Sequence, residues 1–164
     1  MEEFLKKLPE LAGQKRSENT TFFKKLRAKK PKRLDTDVQI IHHEVFQETD
    51  CLTCANCCKT TGPLFTDIDI DRIAKHLKLK PSDFIETYLR IDEDKDYVLQ
   101  SVPCTFLGTD NYCSIYDVRP RACREFPHTD RRKLYQIANL TIENTAVCPA
   151  AYKIVERMKQ SIKL

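Results

Sequence analysis

The chain has 164 residues, with 28 Lys and Arg against 24 Asp and Glu, a net charge of +4 and a mean hydropathy of -0.51. A domain of this length buries roughly two thirds of the surface its unfolded chain exposes, so small size alone does not oblige it to use metal. No apolar run approaches the ~20 residues of a bilayer span, and so mild a charge does not by itself argue for nucleic acid.

Residues 1–50 read as a basic N-terminal arm and linker, peripheral to a cysteine-cluster domain over 51–164. The opening Met1 to Lys7 has early acids, no sustained apolar stretch and no small-residue cleavage pattern. It does not read as a secretory leader, and the expectation is a cytoplasmic, reducing compartment. Phe4, Leu5, Leu8 and Leu11 have helical periodicity interrupted at Pro9, and Phe22, Phe23 and Leu26 form a second stripe. Lys24 to Arg33 holds seven basic residues with no aromatic among them. Its first reading is a solvated helix end and linker, its second a phosphate-binding patch.

Past the first cysteines, Thr66 or Asp67 can cap a helix running to Leu77, with acids suited to the positive end of its dipole. Pro81 starts another that carries Phe84, Ile85, Tyr88 and Leu89 on one side. Tyr97 to Val102 reads as a strand, and Gly108 to Asn111 as the turn before Tyr112 to Tyr116, which predicts a hairpin with a cysteine on each arm. Cys148-Pro149 precedes a helical tail with Ala151, Tyr152, Ile154, Val155, Met158 and Ile162 as its apolar positions. The fold class is α+β: a small, irregular, metal-organised domain of short helices plus a hairpin.

Four of the eight cysteines, Cys51, Cys54, Cys57 and Cys58, lie within eight residues. Thiolates this dense suit zinc or an iron–sulfur cluster, and in a reducing compartment eight cysteines read as ligands before disulfides. On a continuous helix all four would fall in a sector of about 120° with Cys51 and Cys58 ~10 Å apart along the axis, too far to share one ion. In a turn a CxxC pair can chelate while adjacent Cys57 and Cys58 diverge. Either geometry favours several metals or a polynuclear cluster. Cys104, Cys113, Cys123 and Cys148 are dispersed, and folding must bring them in. Cys148, before a helix-starting proline, is expected to have its pKa lowered by the dipole and open N–H groups. Buried cysteines also serve as small hydrophobes, which is the alternative for these four. Of the histidines, His42, His43 and His76 stand apart from the cysteines, and His128 alone follows one closely.

Cys51 to Cys58, together with Cys113-Ser114-Ile115-Tyr116-Asp117-Val118-Arg119-Pro120-Arg121-Ala122-Cys123-Arg124-Glu125-Phe126-Pro127, resembles the YkgJ-like cysteine-cluster family, a zinc- or iron-chelating domain with a CxxCxxCC signature. The resemblance runs from about Cys51 to Cys148 and implies chelation by all eight cysteines. Family members often carry glycine in the first motif where this chain has Ala55-Asn56. A related cluster occurs in flagellin lysine methylases. Arg119, Arg121 and Arg124 beside Cys123 are candidates to bind an anionic thiolate cluster, or else Arg119 pairs with Asp110 or Asp117.

Three functions compete at this point. The first is a metal-binding module whose cofactor is zinc or iron. The second is an iron–sulfur enzyme or electron carrier, against which stand only three glycines, no phosphate loop and no acid–base pair. The third is a zinc-dependent nucleic-acid binder using Lys24 to Arg33.

Overall fold

The computed structural model describes residues 1–164. In chain order it contains α1 (Glu2–Lys29), α2 (Leu34–Gln47), α3 (Cys51–Cys54), α4 (Asn56–Thr60), β1 (Leu64–Phe65), α5 (Asp67–His76), α6 (Pro81–Tyr88), β2 (Leu89–Ile91), β3 (Tyr97–Leu99), α7 (Arg121–Glu125), α8 (Ala138–Asn144) and α9 (Pro149–Ser161). Single 3-10 turns lie at Tyr116–Val118 and Leu134–Ile137. Many helices together with one small three-stranded antiparallel sheet make this the expected α+β class. The chain divides into two compact units, Met1–Cys54 with Pro127–Leu164, and Ala55–Phe126.

The first unit is helical. α1 runs unbroken through Pro9, where the sequence predicts an interruption. A proline inside a helix costs about 3 kcal/mol, because it removes a hydrogen bond and crowds the preceding turn. Leu8, Ala12, Phe22, Phe23 and Leu26 are all buried along this one helix, and burying a large apolar side chain contributes about 1.5–3 kcal/mol. The stripe outweighs the proline. α1 stops at Lys30, whose left-handed backbone (φ 44°) lets its N–H reach Leu26 O before Pro31 ends the run.

α2 is a helix that the arm reading omits, although Leu34, Val38, Ile41 and Val45, all buried, recur at helical spacing. It packs on α9, while α1 packs on α8 and α9. Lys159 of α9 reaches Glu18 of α1 at 2.7 Å, and Arg157 reaches Glu48 at 2.7 Å. Within the first unit the N-terminal helices and the C-terminal helix bury one another.

The second unit surrounds an aromatic core. Phe84 is fully buried, 6.1 Å from Phe65, 5.2 Å from Tyr88 and 6.2 Å from Phe106 between ring centroids, with Ile70, Ile73, Leu89, Leu99 and Ile115 closing around it. The sheet order is β1-β3-β2, with Leu64 opposite Val98 and Leu89 opposite Leu99. This corrects the predicted hairpin: Tyr97–Leu99 pairs with Leu89–Ile91 and Leu64–Phe65, and residues 112–116 take no part in the sheet. Leu89 accordingly leaves the helix and begins β2. Between Cys104 and Cys113 there remains a smaller turn, closed by the Leu107–Cys113 bridge and by Gly108 N–H to Tyr112 O at 2.8 Å. A side chain at Gly108 would meet Asp110 Oδ1 at 2.6 Å, so the Asp110 carboxylate, which accepts Tyr112 N–H at 2.9 Å, would have to shift.

One buried group in α1 opposes the packing. Asn19 is 1% exposed, and neither its amide nitrogen nor its oxygen has a partner. Leaving such an amide unpaired costs about 1–3 kcal/mol. Asn19→Leu, which keeps the heavy-atom number and branching, replaces the amide by methyl groups and is the better helix former, is expected to stabilise the protein by about 1–2 kcal/mol. Urea unfolding would register this as a higher midpoint at unchanged slope, and an unchanged or lower midpoint would contradict it.

Candidate metal centre

The first motif is neither a continuous helix nor a simple turn. α3 and α4 are single helical turns separated by Ala55, whose backbone is left-handed at φ 46°, ψ 17°. Asp50 caps α3: its carboxylate accepts from Thr53 Oγ1 at 2.6 Å and from Leu52 N–H at 2.9 Å, and these bonds hold it below the usual carboxylate range. The boundary between the two units falls on the Cys54–Ala55 bond, so Cys51 and Cys54 belong to the first unit while Cys57 and Cys58 belong to the second.

Within the second unit, folding gathers the sulfurs. Cys104 N–H donates to Cys58 O at 2.7 Å, which ties α4 to the Cys104 turn. The Cys57 thiol hydrogen-bonds Cys58 and, against the opposing effect of burial, brings the Cys58 pKa down to about 7, with Lys59 helping. Burial raises Cys104 and Cys113, and each also feels the Cys58 sulfur. Cys123 is pushed up to about 12, chiefly by burial and then by Cys58, Cys104 and Cys113 together. These four are electrostatic neighbours. Opposing their neutrality are backbone donors, since the N–H groups of Phe106 and Leu107 face Cys104 and that of Ile115 faces Cys113. Amides placed two and three residues after a cysteine stabilise a thiolate and orient it toward a cation.

What delivers Cys123 to this group is the ion pair of buried Asp69 with half-buried Arg72, where the sequence alone shows only a helix-start acid. Thr66 and Asp69 form a capping box, Thr66 Oγ1 accepting from Asp69 N–H and Asp69 Oδ2 from Thr66 N–H at 3.0 Å. The other carboxylate oxygen accepts from Arg72 at 2.6 Å and from Arg121 N–H at 3.1 Å. Arg72 in turn donates to Val118 O at 3.2 Å and Arg119 O at 2.9 Å. Asp69 and Arg72 thus pin residues 118–121, from which α7 carries Cys123. Burial raises the Asp69 carboxyl, but these hydrogen bonds prevail and hold it below the carboxylate range. A D-x-x-R pair at helical spacing was the available signal; its target, a loop some 50 residues away, was not readable.

In the first unit Cys148 caps α9, its sulfur accepting Ala151 N–H at 3.5 Å. The predicted lowering of its pKa does not hold: burial raises it to about 11, with the sulfurs of Cys51 and Cys54 adding to the rise, and the Ala151 and Ala150 amides offset only part of that. The helix start does aim donors at sulfur, yet desolvation of a buried thiolate is the larger effect. Cys51, Cys54 and Cys148 are neighbours of one another.

Among the arginines, Arg119 lowers both Cys113 and Cys123. Its guanidinium lies 3.9 Å over the Tyr116 ring and donates to Tyr116 O at 2.7 Å, in place of the expected Asp110 or Asp117 pairing. Arg121 pairs with Glu125 at 2.6 Å, and Arg124 is exposed. His42 is half-buried against Phe46 and Thr129, and His128 sits in a left-handed turn of the first unit. No disulfide joins any cysteine, and no three Cys, His, Asp or Glu side chains already converge as a finished cage for an ion.

Soft sulfur donors grouped in this way, backed by amide N–H groups and one guanidinium, define a thiolate metal-chelating domain. Comparison with known families bears this out: residues 50–149 match the CxxCxxCC model, described as "Putative zinc- or iron-chelating domain". The chain belongs to this family, whose match begins one residue before Cys51 and ends one after Cys148. No solved structure matches it, and no helix is long and apolar enough to cross a membrane.

Two substitutions test this construction. A left-handed alanine is strained by about 1–2 kcal/mol, so Ala55→Gly is expected to raise stability by about 1 kcal/mol without changing metal content, read by thermal unfolding with metal analysis. Asp69→Asn should lower stability at pH 7 by about 2 kcal/mol. Because the folded carboxyl ionises below its unfolded value, its contribution exists above pH ~4 and vanishes as pH falls through the folded pKa. The gap between variant and parent in urea unfolding should accordingly narrow from pH 7 to about pH 3; a constant gap would show that the charge of Asp69 is immaterial.

Proposed function

We propose that this chain is a cysteine-cluster metalloprotein with two thiolate sites, one using Cys58, Cys104, Cys113 and Cys123 with Cys57 beside them, the other using Cys51, Cys54 and Cys148. The observation that supports this reading is that Cys123 feels the sulfurs of Cys58, Cys104 and Cys113 in the second unit, while Cys148 feels those of Cys51 and Cys54 in the first. Four sulfurs complete a tetrahedral shell, the pattern of a closed structural site, whereas three leave a coordination position for a further donor. When bound, the metal supplies positive charge that compensates the thiolates and cross-links turns distant in sequence, a contribution that reaches ~10–16 kcal/mol for structural zinc.

The residues of the chain perform the remaining work. The amides of Phe106, Leu107, Ile115, Ala150 and Ala151 orient sulfur lone pairs, Arg119 moderates the negative charge, and Asp69 with Arg72 positions Cys123. Zinc and iron both suit this donor set. A reducing, cytoplasmic setting is part of the proposal, since exposed Cys51 must stay reduced to ligate.

The test is zinc, iron and acid-labile sulfide measured on protein purified without oxygen, for the parent chain and for Cys→Ser variants. Cys58→Ser and Cys123→Ser are expected to lose one portion of the metal together with stability, while Cys54→Ser and Cys148→Ser lose a different portion and leave the first in place. Loss of all metal from every variant would show one shared centre, and absence of zinc and iron from parent protein that also fails to take them up would end the metal reading. Stoichiometric sulfide would make the second-unit site an iron–sulfur cluster and turn attention to electron transfer or enzymatic chemistry.

A further inference from the structure

The basic run ending α1 reads in isolation as a solvated helix end, but the fold adds to it. Lys133 N–H donates to Asp35 Oδ1 at 2.7 Å, Arg132 stands 3.5 Å from Asp35 Oδ2, and Arg27 donates to Tyr135 O at 3.1 Å. These contacts, all inside the first unit, set Arg131-Arg132-Lys133 against the corner between α1 and α2. Residues 24–37 and 130–133 together hold ten Lys and Arg against three Asp, a net +7 in a chain of net +4, so the rest of the molecule is net negative.

All ten cations are exposed. Only two meet a carboxylate, and loosely: Arg33 to Asp37 at 3.6 Å and Arg132 to Asp35 at 3.5 Å. A surface arranged for solubility alone intersperses both signs, and like charges concentrated without partners cost stability through repulsion. Beside this corner a cleft of about 380 Å³ is lined by Lys24 and Arg27, by Thr20, Gln136 and Asn139, and by apolar residues that include Phe23, Ile137, Leu140 and Ile142, so cations share it with polar and apolar groups alike. A membrane surface would call for several apolar side chains ready to insert, and Leu140 is the one exposed large apolar residue in the cleft. Phosphate ester beside sugar and base edges matches the mixture better, because cations hold the backbone while amides and hydroxyls pair with what projects from it.

From this we infer that the first unit binds the sugar–phosphate backbone of nucleic acid, without sequence preference, on a surface built jointly by Lys24–Arg33 and Arg131–Lys133. Attraction of this kind is driven by release of counterions, so it falls steeply with salt. The inference stands apart from the metal reading, since none of these residues is a cysteine or adjoins one.

The experiment uses the full-length protein as purified with its metal, labelled single-stranded RNA and duplex DNA of arbitrary sequence, and fluorescence anisotropy between about 50 and about 200 mM KCl. The expected result is binding that weakens about 100-fold or more across that range, as for four or more phosphate contacts. Lys29→Gln with Lys32→Gln, and separately Arg131→Gln with Arg132→Gln, should each weaken binding to every sequence alike and lower the salt slope by about 2, with circular dichroism and metal content unchanged. Absence of binding at the lowest salt would overturn the inference. An effect of the first pair alone would overturn the joint surface, and binding to phosphatidylserine vesicles without binding to nucleic acid would replace it with a membrane role.

Discussion

Burial and neighbouring sulfurs together oppose ionisation of Cys123 in one unit and of Cys148 in the other, whereas the Cys57 thiol draws Cys58 down to about 7. Cys123 is held near 12 and Cys148 near 11, since each thiolate would lose its hydration and face its neighbours' charge at the same time. Protonated thiols in such numbers contribute only as small hydrophobes, a role that requires neither amides aimed at them nor a guanidinium alongside. Under the proposed metal reading, a bound cation would turn the mutual repulsion of the thiolates into shared attraction.

Placing those sulfurs falls to groups that are not ligands. Phe106 is buried in the aromatic core two residues after Cys104, so packing of a ring holds the turn whose amides face the sulfur. Asp69 and Arg72 occupy α5 yet act on residues 118–121, satisfying carbonyls and an N–H that a short irregular segment would otherwise leave to water. In the first unit, burial of α9 against α1 and α2 fixes the helix start that Cys148 caps.

The molecule distributes its charges by a consistent rule. The buried carboxylate of Asp69 is matched by several donors, whereas the cations of the α1–α2 corner are left in water with few counter-charges. Compensation is complete where the chain itself is the partner, and it is incomplete on the surface assigned here to a partner from outside.

Much of this was legible in the residues. The cysteines and their spacing carry the family resemblance, and the Thr66 cap, the helix start at Pro81 and the helix after Cys148-Pro149 follow from local rules, because capping and proline act within one turn. The buried stripe of α2 was also readable at Leu34, Val38, Ile41 and Val45, and was masked by the basic run before it. What only the tertiary structure decided depends on partners distant in sequence. Pro9 stays inside α1 because burial of the whole stripe exceeds a local penalty. Tyr97–Leu99 takes Leu89–Ile91 as its neighbour, since strand pairing is chosen by the core the strands cover. Cys148 is raised where its helix start alone would have lowered it, and Arg131–Lys133 joins a basic run almost a hundred residues earlier. Spacing along a chain encodes what neighbours in sequence can do, while desolvation and the summing of charge belong to neighbours in space.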